Sequence, residues 1–138
     1  MATSGSFDTT HRISGSYNTY ATFSWWQNSQ SVASNKTNIG FNFVGKTASS
    51  GQWVYTYNAN ITVDGQWYGS WEGKMYNDTQ MISNTKDVSH NADGSKTLDA
   101  SGSLAMVESN TVKSGSGSWS LNTIPRQATA TSASNFND

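Results

Sequence analysis

Cysteine is absent from the 138 residues, so neither disulfide bridges nor thiolate-bound metals can hold this chain together. Stability has to come from apolar packing and backbone hydrogen bonds. Proline occurs once, at Pro125. No apolar run approaches the roughly 18 residues of a membrane span, and the opening "MATSGSFDTTHRISG" has neither the basic start nor the apolar stretch of about 7 to 15 residues that marks a secretory signal. Synthesis in a cytoplasm, with no membrane partner, is the expectation. Charge is scarce as well: 12% of residues are charged, the formal net charge is -1, and the basic residues are scattered. That removes the electrostatic footprint of a nucleic-acid or anionic-lipid binder.

The groups that carry most catalysis are equally thin. The histidines are His11 and His90 alone; neither belongs to an HExxH motif, and both read as polar turn residues. No GxSxG occurs among the many serines, so nothing recommends a hydrolytic triad. The glutamates are Glu72 and Glu108. A glycosidase needs two carboxyl groups facing one bond, and Glu72 beside Trp71 reads better as a hydrogen-bonded or solvated acid. "NADGS" offers oxygens at Asn91 and Asp93, yet it lacks the spacing and closing Glu of a calcium loop and fits a tight turn. The expectation is no catalytic residue, no metal and no cofactor.

What the chain does contain is Ser, Thr, Asn, Gly and aromatic rings, the composition of an all-β domain rich in turns. Its length fits one domain with one real core, since chains of this size bury roughly two-thirds of their unfolded surface. The period-2 signal is clearest at Trp53, Tyr55, Tyr57, Ala59, Ile61 and Val63, which alternates with Thr56, Asn58, Asn60 and Thr62 and predicts a long strand with the odd residues in the core. Asp64-Gly65 then predicts a type I′ hairpin turn. The same alternation marks 22–27 and 39–43, more weakly 80–88, and a further long strand at 98–106; an edge strand is expected around Phe7 or Ile13, and Asp93-Gly94 invites a second hairpin. "GSWSLNTI" is a last strand stopped by Pro125. Seven to eight such strands with no helical period predict an antiparallel β-sandwich, jelly-roll or Ig-like, over 1–126, with a closed barrel as the alternative. Residues 127–138 read as a tail or the start of a linker.

The rings are the one feature with chemical content. Adjacent strand residues point to opposite faces, so Trp25-Trp26 and Trp67-Tyr68 must each place one ring outside the core. Trp26, Trp67, Tyr68 and Trp71, set among amides and hydroxyls, are therefore the candidate ligand-binding residues. A ring face stacks on the apolar face of a pyranose while amides take its hydroxyls. The same rings suit a subunit interface.

"SQSVASNKTNI", "HNADGSKTLDASGSLA" and "SGSGSWSLNTIPRQAT", together with the opening "MATSGSF", resemble stretches of a family of tail-associated minor structural proteins from siphophages of Gram-positive hosts, a family largely of unknown function. The Trp-containing strand running into Thr-Ile-Pro-Arg is the most specific of these. The resemblance implies a virion protein, made in the host cytoplasm, whose N-terminal β-sandwich precedes further adhesin-like domains. It implies other tail proteins, further copies of itself or a host cell-wall polysaccharide as partners, and it brings no catalytic residues. The expected role is host-surface adhesion; the alternatives are a purely structural assembly module and a glycan-degrading enzyme.

Overall fold

The computed structural model describes residues 1–107 and 111–126. Glu108 and the expected tail at 127–138 lie outside the described residues. Among the described residues nine strands run β1 (Ser4–Asp8), β2 (Arg12–Ser14), β3 (Tyr17–Ser31), β4 (Lys36–Lys46), β5 (Trp53–Val63), β6 (Gln66–Tyr76), β7 (Gln80–Ser89), β8 (Thr97–Met106) and β9 (Thr111–Ser120). The first sheet has the order β1-β3-β4-β7, with β2 also on β3, and the second has the order β6-β5-β8-β9. All the ladders are antiparallel. The protein is an all-β sandwich and not a closed barrel.

The two long sides of the sandwich differ. On one, backbone bonds join the sheets: Ala2 N–H donates to Ser120 O at 2.8 Å and Thr10 N–H to Ser114 O at 3.0 Å, beside a parallel bridge from Ala2 to Leu121. On the other, β6 and β7 are the free edges of their sheets. The open side is where the groove described below lies.

Between the sheets an aromatic stack fills the core. Phe7 lies 5.1 Å from Phe23 and Phe23 lies 6.2 Å from Phe41, with Trp119 against Phe7, Phe23 and Trp25. Phe23, Trp25, Phe41 and Phe43 are almost wholly buried, and each such burial contributes about 1.5–3 kcal/mol. Gly102 faces Phe43 and Ile61 so closely that a Cβ would sit 3.0–3.2 Å from them, tight enough that these buried side chains would have to shift to admit one.

The Asp64-Gly65 turn forms as expected, with φ of 50° and 81° at its two residues. Trp25 is buried and Trp26 is 39% exposed, as alternation requires. The main correction concerns β5. Trp53 and Tyr55 are exposed and Tyr57 is only partly covered, whereas Val54 and Thr56 are buried beside Ala59, Ile61 and Val63. A β-bulge explains the switch. Thr56 pairs with Gly73 and Ala59 with Trp71, so Tyr57 and Asn58 together oppose Glu72. Asn58 takes a φ of 55°, a left-handed conformation that Asn tolerates better than most residues. One extra residue reverses the parity, and the rings before it leave the core.

Three smaller corrections follow the same logic of local geometry. Asp93-Gly94 makes a turn, with Gly94 at φ 88°, but it leads from β7 in one sheet to β8 in the other and not between paired strands. The last strand ends at Ser120, before Pro125 is reached. His90 is a buried connector and not a solvated turn residue: its ring lies 2.6 Å from Thr37 Oγ1 and 2.7 Å from Gly94 O. Gly94 O also accepts from Ile124 N–H at 3.0 Å, and Ile124 is fully buried, so the segment after β9 is folded onto this end of the sandwich. Arg126 donates to Val32 O there.

Candidate functional site

The open side holds a groove of about 460 Å³ between the two free edges. One wall is β6, with Trp67, Tyr68, Gly69, Ser70 and Trp71; the other is Met81–Asn84 of β7. Both strands bend here for sequence reasons. On β6, Ala59 pairs with Trp71 and Asn60 with Gly69, so Ser70 is an extra residue. This second bulge sets Tyr68 and Trp71 on the same, inward side although their spacing is odd. On β7, Phe43 pairs with Ile82 and Val44 with Gln80, leaving Met81 as the extra residue.

The inner face of β7 is what keeps the groove open. Ile82, Asn84, Lys86 and Val88 stand opposite Phe43, Phe41, Ile39 and Thr37 of β4, so an amide and an ammonium occupy positions that a closed core would give to apolar groups. Lys86 Nζ reaches across to Gln66 Oε1 at 2.9 Å, tying β7 to the start of β6. An inward lysine also discourages a second chain from pairing with this edge.

Tyr68 forms the back of the groove, with its ring edge-on to Phe41 at 4.9 Å, so the core's aromatic stack continues to the groove wall. Burial raises the Tyr68 phenol above its ordinary value, and the nearby Asp64 charge adds to this. Trp71 and Ile82 pack partly on the core. Trp67 is 58% exposed and its ring lies over Gly69, where a Cβ would meet it at 3.1 Å. The site therefore offers one free ring, two rings braced by the core, and hydroxyl and amide groups at Ser70, Ser83 and Asn84.

Three of the four candidate residues, Trp67, Tyr68 and Trp71, meet in this groove. Trp26 does not. It lies on the outer face of the first sheet over Gly40, where a Cβ would come within 2.5 Å of its ring. No family model, curated protein or solved structure matches the chain. Among the described residues no three His, Asp or Glu side chains come together as metal ligands would. Glu72 lies outside the groove, where its Oε2 accepts from the Tyr55 hydroxyl at 2.6 Å. That bond, lost on ionisation, raises the Tyr55 phenol above its ordinary value, with burial and the carboxylate's charge adding to it.

The wall contributed by β7 was not legible as part of a site. Its Asn84 and Lys86 interrupt the alternation on the inner face and make the strand look weak, and that interruption was the signal. The outward rings of β5 were missed because the apolar period runs unbroken across the bulge from Trp53 to Val63. Val54, an apolar residue at an even position, is the one letter that contradicts it.

Proposed function

We propose that this protein is a non-enzymatic adhesion module that holds a polysaccharide in the groove between β6 and β7. The observation that carries this is the convergence of Trp67, Tyr68 and Trp71 with Ser83 and Asn84 in one concavity. An exposed Trp stacks on the apolar face of a sugar ring, and neutral hydroxyl and amide groups exchange hydrogen bonds with its hydroxyls. Two of the rings rest on the core, so little ordering entropy is lost on binding. Affinity at one such site is modest, and many copies on one particle multiply it through avidity. Together with the resemblance to siphophage tail proteins, this supports a virion protein of the tail or tail tip that contacts the wall polysaccharide of a Gram-positive host.

Titration of intrinsic Trp fluorescence with purified Gram-positive wall polysaccharide tests the proposal. A saturable shift that disappears in Trp67→Ala is expected. No shift at millimolar sugar would overturn it. A second reading, a structural assembly module, is favoured by Trp26, which is exposed on the outer face of the first sheet and away from the groove. Light scattering of wild type and Trp26→Ala separates the two, since an oligomer that dissociates in the variant supports assembly.

A further inference from the structure

The reversal of β5 gives the outer face of the second sheet a composition that the groove does not use. Trp53 pairs with Tyr76 and Tyr55 with Lys74 across β5 and β6, and Trp53, Tyr55 and Tyr76 are 37–40% exposed. The Trp53 and Tyr76 rings are 6.5 Å apart, Lys74 Nζ lies 4.7 Å from the Trp53 ring centre, and the Tyr55 hydroxyl donates to Glu72 at 2.6 Å. These rings form a shelf with restrained orientation.

Beyond the bulge, the same face changes character. Asn60 pairs with Ser103 and Ser103 with Ser114; Thr62 pairs with Ser101 and Ser101 with Ser116. These short side chains line two adjoining depressions of about 380 and 580 Å³, the second reaching Asp99 and Ser118. Trp67 pairs with Thr62 and so stands at the rim of this trough as well as in the groove. From Trp53 to Thr62 the strand rises roughly 30 Å at about 3.3 Å per residue.

We infer that the outer face of the second sheet is an extended binding surface for an uncharged polysaccharide, with the Trp53–Tyr55–Tyr76 shelf stacking on its sugars and the Ser/Thr/Asn trough pairing with their hydroxyls. The inference rests on the glycan-binding reading of the groove, which it extends through the shared Trp67. A second protein chain is a poor occupant of this face. It would bury rows of hydroxyls against apolar groups and leave them unpaired, which opposes binding at each orphaned group. A polysaccharide carries hydroxyls along its whole length and satisfies them. On the shelf Lys74 and Glu72 balance, and the trough adds the carboxylate of Asp99, which accepts from the Ser118 hydroxyl, so the face does not attract an acidic chain and suits an uncharged one.

The test compares short oligosaccharides with long chains of the same neutral wall polysaccharide by calorimetry, on wild type, the groove variant Trp71→Ala, the shelf variants Trp53→Ala and Tyr76→Ala, and the trough variant Ser103→Arg. Long chains are expected to bind wild type more tightly than short ones. Each shelf or trough variant should weaken long-chain binding about tenfold, the loss of one stacking or packing contact, and leave short-oligomer binding in the groove unchanged. Circular dichroism checks that each variant is folded; Ser103→Arg keeps every ring in place, so its result stands even where a shelf variant misfolds. Long-chain affinity unchanged in all three overturns the inference and leaves the groove intact. Loss in these variants with no effect of Trp71→Ala supports the outer face and removes the groove. A wild-type dimer that dissociates in Trp53→Ala makes this face a self-interface and overturns the inference, and failure of wild type to bind any chain overturns both.

Discussion

Replacing Asn58 should separate the backbone demand of the β5 bulge from its side-chain contacts. Asn58 sits at φ 55°, where an ordinary L-residue pays about 1–2 kcal/mol and a β-branched one is a true outlier. Asn58→Val is therefore expected to destabilise the fold by about 1–3 kcal/mol. Asn58→Gly, which adopts this φ freely, should stay within about 0.5 kcal/mol of wild type, its gain in backbone fit set against greater freedom in the unfolded chain. Asn58 is exposed, so little packing is lost in either variant. Urea unfolding followed by Trp fluorescence reads the difference. With a slope of about 1–3 kcal/mol per molar, the Val variant's midpoint should fall by about 1 M while the Gly variant's barely moves. Equal midpoints for Val and Gly would refute the claim that a left-handed residue at 58 sets the bulge, and with it the explanation for the outward rings.

Three further outcomes are expected. Tyr55, whose phenol is raised by Glu72, should titrate above the ordinary tyrosine value by phenolate absorbance and return towards it in Glu72→Gln. Because the folded value is the higher one, its contribution to stability is present below the ordinary value and lost as pH rises through the raised one. Asp93 is the opposite case: hydrogen bonds from the Ser95 hydroxyl and backbone lower it, so its contribution is present above the ordinary carboxylate value and lost as pH falls through the lowered one. Asp93→Asn should flatten that acid limb in stability curves measured by fluorescence. His90→Phe leaves the Thr37 hydroxyl with the Gln30 amide as its other partner and removes the ring contact to Gly94 O, and it should lower stability by about 1–3 kcal/mol in thermal unfolding, most visibly by loosening the segment around Ile124.

The fold class was legible because its signals are local. Asp64-Gly65 carries its turn in two letters, and the odd positions 59, 61 and 63 face the core as their period says. Trp25 and Trp26 part company because strand geometry leaves no other choice. What escaped depends on events one residue long. Asn58 and Ser70 each reverse a strand's parity without interrupting its composition, so Trp53 and Tyr55 read as core. His90 looked like a turn residue because its partners, Thr37 and Gly94, come together only after β4 and the sheet-crossing turn have packed. The groove was half visible: its three rings were identified on β6, but Met81–Asn84 became a wall only through a free edge that no single stretch of sequence announces.

The bulge at Asn58 also changes how variation in this chain should be weighed. A strand normally fixes its wet and dry sides for its whole length, and changing either takes many substitutions. Here the assignment is switched by a single inserted position whose handedness a small polar residue sets. Loss of that position would return Trp53 and Tyr55 to the interior and expose Val54 and Thr56 in one step, without altering any other letter. The surface shown to the outside is in this sense indexed by chain length as well as by residue identity, and a one-residue deletion here would rewrite more of it than any single substitution.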